Sequence, residues 1–377
     1  MQTLIVFSHL RWDFVYQRPQ QLISRLARHY RIFFIEEPEP SAHADGAGWH
    51  ASEPLPGLTV WQWAGLSPRR GFGHAAAERL RVKLAELCRQ HPLHLVWFYT
   101  PMAMPLLDML EPRLVIYDCM DELSAFMDPP AGLIEHERQL LARADLVFTG
   151  GPGLYASKRM QHPNVHCFPS SVDSAHFRQA LDRNIAYAPH AHLPRPRLGF
   201  FGVLDERLDI ALVAAIADAH PTWQLVLVGP VAKIDPASLP QRPNIHYMGQ
   251  QPYALLPAFL ASWDVCLMPF AINEATRFIS PTKSLEYMAA ERPVVSTAVR
   301  DVVAMHADTV AIANSTPEFI RCCEAALAMP AAERQQRIRQ MRAKLRRTSW
   351  DATVRDMHRL MLQAQGMASA AGTGGAG

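Results

Sequence analysis

Short apolar runs alternate along the chain with longer segments whose apolar residues recur at helical spacing. Near the N-terminus, Leu4–Ser8 (LIVFS) and Arg31–Ile35 (RIFFI) have the apolar pattern of buried strands, and Gln20–His29 between them has the spacing of an amphipathic helix. A strand, a helix and a second strand within about 30 residues form the unit of a parallel sheet. The chain therefore opens as an α/β domain.

This alternation continues through the first half of the chain. Further strands are predicted at Leu58–Trp63, Leu93–Tyr99, Leu114–Asp118, Leu146–Thr149 and Val165–Phe168, and helices at Ala75–Gln90 and Leu133–Ala144. Residues 184–196 are rich in Pro, His and Ala and show no periodicity, which is typical of a linker. We therefore place a first domain at residues 1–183 and an interdomain linker at 184–196.

The alternation of strands and helices restarts after the linker. Strands are predicted at Arg197–Phe201, Gln224–Val228, Ile245–Met248, Val265–Met268, Val294–Thr297 and Val310–Ala313, and helices at Leu208–His220, Tyr253–Ser262, from Ser280 onward, Pro317–Met329 and Ala332–Arg346. Residues 197–347 thus form a second domain. The pattern predicts two doubly wound, Rossmann-like parallel-sheet domains that face each other across a cleft.

The C-terminal residues follow neither domain's pattern. We expect residues 348–366 to form a helix that packs back on the first domain, and the low-complexity tail 367–377 to be disordered.

Composition narrows the class of protein. Hydrophobic residues make up 49% of the 377 residues, which is enough for two packed cores and excludes a disordered chain. The 37 basic and 35 acidic residues give a formal net charge of +2, whereas proteins that bind nucleic acid usually carry a strong basic excess. We therefore expect no nucleic acid partner.

Cysteine usage and apolar run lengths bear on the compartment. The six cysteines include no Cys-x-x-Cys pair, which argues against a disulfide framework or a zinc site and favours a reducing cytoplasm. The N-terminal segment lacks a basic region, and no apolar run approaches the ~18 residues of a membrane-spanning helix. We expect a cytoplasmic protein.

The segment SPTKSLEYMAAERPVVST, which begins at Ser280, combines a helix start with charged residues. Ser280 is predicted as the N-cap and Pro281 as the first helical residue. Lys283 would add a positive charge where free N–H groups already favour an anion, so Ser280, Thr282 and Lys283 are candidates to bind phosphate. Glu286 lies one turn later and could accept hydrogen bonds from vicinal hydroxyl groups. The alternative is a solvated Lys283–Glu286 ion pair.

A glycine-containing turn follows the first strand of the second domain. Gly202 ends the segment Gly199–Gly202 (GFFG), and Arg207 follows in the same loop; Gly229 ends the next strand. Glycines at such turns let backbone N–H groups approach a diphosphate, and an arginine can bind it through two hydrogen bonds. The motif is not Gly-x-Gly-x-x-Gly, which disfavours an NAD-dependent dehydrogenase. Alternatively, Arg207 is a solvated surface residue.

The loop after the first strand is rich in aromatic and basic residues. Such side chains suit sugars and phosphates, although the aromatic ones could equally be packing residues. The candidates for acceptor binding are His9, Arg11, Trp12, Tyr16 and Arg18.

Two carboxylates follow the predicted strand Leu114–Asp118. Asp118 and Asp121 could act as a general base or orient a hydroxyl group, although Asp121 could instead cap a helix.

Near the C-terminus, residues 332–347 carry seven basic residues and one acidic residue, so this helix could rest on anionic lipid or be a solvated face.

Four segments resemble the retaining GT-B glycosyltransferases of family 4, the group 1 type of bacterial polysaccharide synthesis. They are Asp145–Thr149 followed by Pro169–Asp173 with Phe177, then Gly199–Gly202, Asp264–Pro269, and Glu286–Pro293 with the strand that follows it. The resemblance implies that the second domain binds a nucleotide sugar and the first binds the acceptor. It also implies that Glu286 holds the ribose and that Lys283 and Arg207 neutralise the diphosphate, with no metal or other cofactor.

The chain departs from the family pattern in three places. Phe278 stands where the family has a glutamate, for which Glu274 could substitute; Val203 stands where an arginine is frequent; and the loop with Arg, Trp and Tyr after the first strand replaces the family's glycine-rich acceptor-domain loop. Asp118 falls near where the family often has a histidine close to the reacting sugar. The implied activity is transfer of a sugar from a UDP- or GDP-sugar to a hydroxyl of a saccharide or lipid-linked acceptor, with retention. The basic helix at residues 332–347 would place the protein peripherally at the inner face of the plasma membrane. A GT-B-like nucleotide-sugar epimerase and a non-catalytic sugar-nucleotide-binding scaffold are the alternatives.

Overall fold

The computed structural model describes residues 1–40, 48–65, 72, 74–92, 94–182, 184–185, 189–190 and 192–373. Contacts divide the chain into two compact units. The first unit comprises Met1–Ser124, Asp128–Pro169 and Asp351–Gly377, and the second comprises Ala125–Met127 and Ser170–Trp350.

The first unit is built on a nine-stranded sheet. Its strands are β1 Gln2–Ser8, β2 Tyr30–Glu36, β3 Glu39–Pro40, β4 Gly48–Leu55, β5 Leu58–Gly65, β6 His94–Phe98, β7 Val115–Cys119, β8 Leu146–Thr149 and β9 Val165–Cys167. The order is β3-β5-β2-β1-β6-β7-β8-β9, and β4 pairs with β5. All pairs are parallel except β4 with β5. The strands β1, β6, β7 and β8 are almost wholly buried, as expected of parallel strands covered on both faces.

Helices connect these parallel strands. They are α1 Arg18–Leu26, α2 His74–Gln90, α3 Leu133–Arg143 and α4 Pro152–Lys158, with 3-10 segments at Pro101–Met109 and Leu123–Ala125. Proline stands in the first turn of α1 and α4, where a missing N–H costs no hydrogen bond.

The second unit is built on a six-stranded parallel sheet. Its strands are β10 Arg197–Phe201, β11 Gln224–Val228, β12 Ile245–Tyr247, β13 Val265–Met268, β14 Val294–Thr297 and β15 Ala311–Ala313. The order is β12-β11-β10-β13-β14-β15, so β10 lies in the interior of the sheet. The chain order reverses between β10 and β13, and such a switch point is where doubly wound sheets bind ligands.

The helices of the second unit pack on this sheet. They are α5 Ser174–Arg178, α6 Ile210–Ala219, α7 Leu256–Ser262, α8 Lys283–Ala289, α9 Arg300–His306, α10 Thr316–Leu327 and α11 Ala331–Leu345. Gly199 in β10 is required by this packing, because a Cβ there would lie 1.9 Å from the Trp263 ring.

The last helix, α12 Trp350–Thr373, contacts the first unit. The His358 ring lies 4.3 Å from the His29 ring and 5.5 Å from the Tyr30 ring, centroid to centroid. Gln2 donates a hydrogen bond to Gln365 at 3.0 Å. The helix extends beyond Gly366, where the sequence predicted disorder; residues 374–377 lie outside the described residues.

The two parallel-sheet domains predicted from the sequence are confirmed, but the contacts set a different boundary. The second unit begins at Ser170 rather than after residue 183, because Val172 and Phe177 are buried in its core. Within the predicted linker, His190 is also buried. Among the described residues, no helix is both long and apolar enough to cross a membrane.

Candidate functional site

Three loops lie side by side beyond the carboxyl ends of β10, β11 and β13. Leu204 N–H donates to Pro230 O at 2.9 Å, which joins the loop after β10 to the loop after β11. Asp209 N–H donates to Pro269 O at 2.9 Å, and Ala271 N–H donates to Arg207 O at 2.8 Å, which joins the first loop to the one after β13. The loops are therefore fixed by backbone hydrogen bonds.

Two of the predicted glycines, Gly202 and Gly229, are required by the geometry of these loops. Both have a positive φ, of 149° and 147°, which side chains disfavour. A Cβ on Gly229 would lie 1.8 Å from Gly202 O, and a Cβ on Gly202 would lie 2.4 Å from Lys283 Cε and 2.9 Å from Lys283 Nζ. The structure thus brings together Gly202, Gly229 and Lys283.

The helix α8 presents Lys283 and Glu286 at this edge of the sheet. Tyr287 anchors the helix, since its hydroxyl accepts a hydrogen bond from Phe201 N–H at 3.2 Å and its ring packs on Phe201 with centroids 4.9 Å apart. Lys283 Nζ lies 5.7 Å from the centre of the Phe200 ring, within the range of a cation–π contact. The anchoring role of Tyr287 was not predicted from the sequence.

The Glu286 carboxyl group is shielded by the surrounding protein. Burial raises its pKa to about 7, although the positive charge of Lys283 opposes the rise. A carboxyl group with a pKa near neutrality can change between a hydrogen-bond acceptor and a donor in the working pH range.

The predicted start of α8 is wrong by two residues. The helix begins at Lys283, and Thr282 rather than Ser280 occupies the N-cap position. Thr282 O accepts the first helical hydrogen bonds, from Leu285 N–H at 2.9 Å and Glu286 N–H at 3.2 Å. Pro281 O instead accepts from the Ser284 hydroxyl at 3.1 Å. A phosphate-binding role for Ser280 and Thr282 stays a prediction.

The predicted phosphate ligand Arg207 is held by an acidic neighbour. Its guanidinium donates to both oxygens of Asp205, with Nη2 at 2.6 Å from Oδ2 and Nε at 2.9 Å from Oδ1. Asp205 is buried, so this pair fixes the orientation of Arg207.

Glu274 lies on the exposed 3-10 segment Glu274–Thr276. Its side chain is 75% exposed and pairs with Arg277 at 3.3 Å. The Arg277 guanidinium lies 5.2 Å from the centre of the Phe278 ring. The exposure of Glu274 gives no support to its substituting for the family's catalytic-site glutamate, and that role stays a prediction.

In the first unit, the candidates Arg18 and Asp118 form a buried ion pair. Their side chains are 3% and 0% exposed, and Arg18 Nη2 lies 2.8 Å from Asp118 Oδ1. Arg18 Nε also lies 3.0 Å from Asp118 Oδ2, and Nη1 donates to Phe168 O at 2.7 Å. Because both groups are occupied by each other, this geometry favours a structural role over acceptor binding or general-base catalysis.

The loop before α1 is also tied to the protein interior. Glu36 accepts hydrogen bonds from Arg11 Nη1 and Trp12 N–H, both at 2.8 Å. The Trp12 ring is buried and packs edge-on against Phe34, with centroids 5.2 Å apart. Trp12 therefore has the packing role that the sequence left open.

The remaining acceptor candidates lie nearer the surface. Tyr16 is 38% exposed, with its hydroxyl 3.5 Å from the Ser24 hydroxyl, and His9 is partly buried.

Near Asp121 the structure contains a buried charge network that was not predicted from the sequence. Lys158 Nζ lies 2.9 Å from Glu122 and 2.8 Å from Glu137, which also accepts from the Tyr117 hydroxyl at 2.6 Å. Burial lowers the pKa of Lys158, but the neighbouring groups, Cys119 and these two carboxylates, outweigh it, so the pKa is raised overall. The network fixes the loop that carries Asp121, whose own role stays a prediction.

Comparisons with known proteins bear on the family and the fold of this chain. Residues 195–329 match the family model described as Glycosyl transferases group 1. A curated relative, the putative teichuronic acid biosynthesis glycosyltransferase TuaH of Bacillus subtilis, is 26% identical over 266 residues, which cover 64% of this chain and 65% of that protein. The match thus spans less than two thirds of the relative's length.

Solved structures match over nearly the whole chain. Sucrose-phosphate synthase of Thermosynechococcus elongatus has a TM-score of 0.71 at 16% identity, over 96% of this chain and 99% of that one. Anabaena HepE in complex with UDP and glucose has a TM-score of 0.66 at 13% identity, also over 96% and 99%. At this identity the likeness establishes the fold.

The chain is therefore a GT-B protein, as the sequence predicted. Its predicted resemblance to the group 1 glycosyltransferases is also confirmed, with the family model lying on the second unit.

Proposed function

We propose that this protein is a glycosyltransferase of polysaccharide biosynthesis that moves a sugar from a nucleotide-diphosphate sugar to a hydroxyl group of a saccharide or lipid-linked acceptor. The observation that carries the proposal is the position of Lys283 against Gly202, with Glu286 one helical turn further on. The group 1 family match over residues 195–329 and the TuaH relative support the same activity.

In this proposal the residues of the second unit bind the donor. Glu286, when ionised, accepts hydrogen bonds from the two ribose hydroxyl groups. Lys283 places a positive charge against the diphosphate and stabilises the charge that develops on it as the bond to the sugar breaks. The positive φ of Gly202 and Gly229 leaves backbone without side chains where the diphosphate would approach.

The stereochemistry and the metal requirement are further parts of the proposal. We propose transfer with retention, which the family resemblance supports, and catalysis without a metal, because Lys283 supplies the positive charge. The described residues contain no cluster of three or more His, Cys, Asp or Glu side chains suited to a metal ion. Turnover that is unchanged by EDTA would agree with this proposal, and loss that magnesium restores would contradict it.

The experiment is to incubate the purified protein with UDP- and GDP-sugars and candidate acceptors and to follow nucleotide release. We expect Lys283→Met to lower turnover by about 10²-fold or more, as for loss of one charge-stabilising group. The matched control is Lys83→Met in the first unit, where Nζ lies 5.2 Å from the Trp61 ring centre, and its turnover should be unchanged. Equal turnover in all three proteins would contradict the site. Epimerised donor formed without acceptor would indicate an epimerase instead.

We also propose that the protein works at the cytoplasmic face of the membrane. Helix α11 and the residues after it expose Arg339, Arg346 and Arg347, whereas Arg342 pairs with Glu291 at 2.6 Å. Exposed arginines favour anionic lipid. Co-sedimentation with vesicles containing phosphatidylglycerol should fall when these three arginines are replaced by glutamine, and equal binding of the triple variant would contradict the proposal.

A further inference from the structure

The loop after β10 carries a carboxylate that the protein itself leaves without hydrogen bonds. Neither oxygen of Glu206 has a hydrogen-bond partner, although both are buried and the side chain is only 8% exposed. The nearest cation, Lys233 Nζ, lies 3.8 Å from Oε1, which is beyond hydrogen-bonding distance. A buried carboxylate in this state costs stability, so its presence needs an explanation.

The backbone on both sides of this carboxylate is held firmly. Glu206 O accepts a hydrogen bond from Asn273 Nδ2 at 3.1 Å, and the next residue, Arg207, is fixed by Asp205. Lys233 has a φ of 61°, a left-handed conformation that costs energy for a residue with a side chain. Strain of this kind persists where the surrounding structure enforces it, and it occurs preferentially at binding sites.

An aromatic ring lies beside the two cations of this cluster. Phe126 belongs to the second unit, and its ring centre lies 4.3 Å from Lys233 Nζ and 5.4 Å from the Arg207 guanidinium carbon. The Lys233 side chain is 52% exposed, so it can move away from Glu206 without losing a hydrogen bond to it. The cluster thus has a buried carboxylate on a held backbone, beside a half-exposed cation that can move.

The chemistry of the cluster indicates its ligand. Two acidic residues, Asp205 and Glu206, balance two basic ones, Arg207 and Lys233, so the cluster has no excess charge to attract a diphosphate. A carboxylate accepts hydrogen bonds and does not donate them, and the donors that suit it are the hydroxyl groups of a neutral sugar. Because the loop that carries Glu206 is the loop that carries Gly202, a sugar joined to a diphosphate at Gly202 would lie within reach.

We propose that Glu206 is a specificity-determining residue that accepts hydrogen bonds from hydroxyl groups of the donor's hexosyl group. Its neighbour Lys233 would move away to let the sugar reach the carboxylate. This inference rests on the proposed donor site. It assigns to Glu206 the sugar rather than the nucleotide, which Lys283 and Glu286 would hold.

The test measures by calorimetry the affinities of wild type and Glu206→Gln for two nucleotide sugars and for the matching nucleoside diphosphates. The two pairs are UDP-glucose with UDP and GDP-mannose with GDP. The variant should bind the preferred nucleotide sugar at least tenfold more weakly, whereas its affinity for the matching nucleoside diphosphate should change less than twofold. The control is Glu291→Gln, which removes a carboxylate that pairs with Arg342 at 2.6 Å and should alter neither affinity.

A stability measurement separates ligand binding from a structural role. Because Glu206 lacks hydrogen bonds, Glu206→Gln should leave the thermal midpoint of the free protein unchanged or raise it, whereas loss of a structural group would lower it. A lowered midpoint, or an equal loss of affinity for UDP and UDP-glucose, would overturn the inference.

These experiments distinguish failure of the Glu206 inference from failure of the proposed function. If wild type releases nucleotide and Glu206→Gln binds nucleotide sugars normally, the inference fails and the function stands. If wild type binds nucleotide sugars without turnover, the transferase proposal fails, and the calorimetric comparison still decides the role of Glu206. If wild type binds no nucleotide sugar, both are overturned.

Discussion

Lys283 lies directly against Gly202, although the two residues are 81 positions apart and belong to a helix and to a loop that follows another strand. A Cβ on Gly202 would stand 2.4 Å from Lys283 Cε, closer than any real contact allows. The absence of a side chain at position 202 therefore lets the lysine lie across the loop. In the proposed donor site, this contact sets where the positive charge meets the diphosphate.

Gly202→Ala should displace Lys283 and weaken nucleotide binding about tenfold or more. The change should also lower the free energy of unfolding by about 1 kcal/mol, because φ at this position is 149°. Gly48→Ala is the matched control, since Gly48 has a φ of 152° and no atom within 4 Å of the added Cβ. Calorimetry with UDP and GDP should show weaker binding only for Gly202→Ala. Similar affinities in the two variants would show that the Lys283 contact is unimportant.

The raised pKa of Glu286 predicts that nucleotide affinity depends on pH. The carboxylate form should bind the ribose hydroxyls better, so affinity should rise several-fold between pH 6 and pH 8, through the pKa of about 7. Glu286→Gln should remove this dependence and bind more weakly at pH 8. An affinity profile that keeps the wild-type slope in Glu286→Gln would assign the titration to another group.

The same residue should make the free energy of unfolding of the ligand-free protein fall as pH rises, which is the opposite of its effect on nucleotide affinity. Because the folded-state pKa of Glu286 is raised above its usual value of 4.5, its stabilising contribution is complete below that pH and is lost as pH rises through about 7. Glu286→Gln should therefore be more stable than wild type at pH 8 and equal to it near pH 4.5. The difference at pH 8 should be about 1 kcal/mol, a reduced figure because Glu286 as a whole residue is only partly buried. Urea unfolding at both pH values measures the difference.

The Arg18–Asp118 pair should contribute to stability rather than to catalysis. Asp118→Asn leaves the Arg18 charge buried without its partner, so we expect a loss of about 3 kcal/mol in the free energy of unfolding. Asp108→Asn is the control: its carboxylate also lies 2.8 Å from an arginine, Arg143, but both side chains are exposed, and the loss should stay under about 1 kcal/mol. Normal stability with abolished turnover would restore Asp118 as a catalytic candidate.

The order of strands and helices could be predicted because short apolar strands alternate with amphipathic helices in both halves. Strand β4, Gly48–Leu55, could not, because most of its residues are exposed and it joins the sheet only through antiparallel pairing with β5. The apolar residues of β4 therefore do not follow the pattern of a buried strand.

Only part of the candidate site could be predicted from the sequence, because local patterns do not record tertiary contacts. Position after a strand identified Gly202 and Gly229, and the start of a helix identified Lys283 and Glu286. The fold brings Gly202, Gly229 and Lys283 together at one edge of a sheet. The same rule selected Arg18 and Asp118, whose mutual pairing over 100 residues depends on tertiary contacts that no local pattern records. The same rule missed Glu206 and Lys233. What distinguishes Glu206 is that its buried carboxylate lacks hydrogen bonds, and no sequence pattern records such a lack.

A buried histidine makes the second unit sensitive to acid. His190 Nε2 accepts a hydrogen bond from Trp263 Nε1 at 3.0 Å, and its ring is stacked on Phe259 with centroids 4.8 Å apart. Only the neutral imidazole can accept this bond, and burial lowers the pKa of His190 to about 4. The contribution of this group to stability is therefore present above its ordinary pKa of 6.5 and is lost as pH falls toward 4.

Wild type should thus lose about 2 to 3 kcal/mol of unfolding free energy between pH 7 and pH 4 through this one group, beyond what other groups contribute. His190→Gln should be less stable at pH 7 and should lack this component, so the two denaturation curves should converge as pH falls. The control is His50→Gln, which removes an exposed imidazole in the first unit and should follow the wild-type curve. Parallel curves for wild type and His190→Gln would mean that the imidazole is protonated in the folded protein, so that its Nε2 could not accept the hydrogen bond from Trp263.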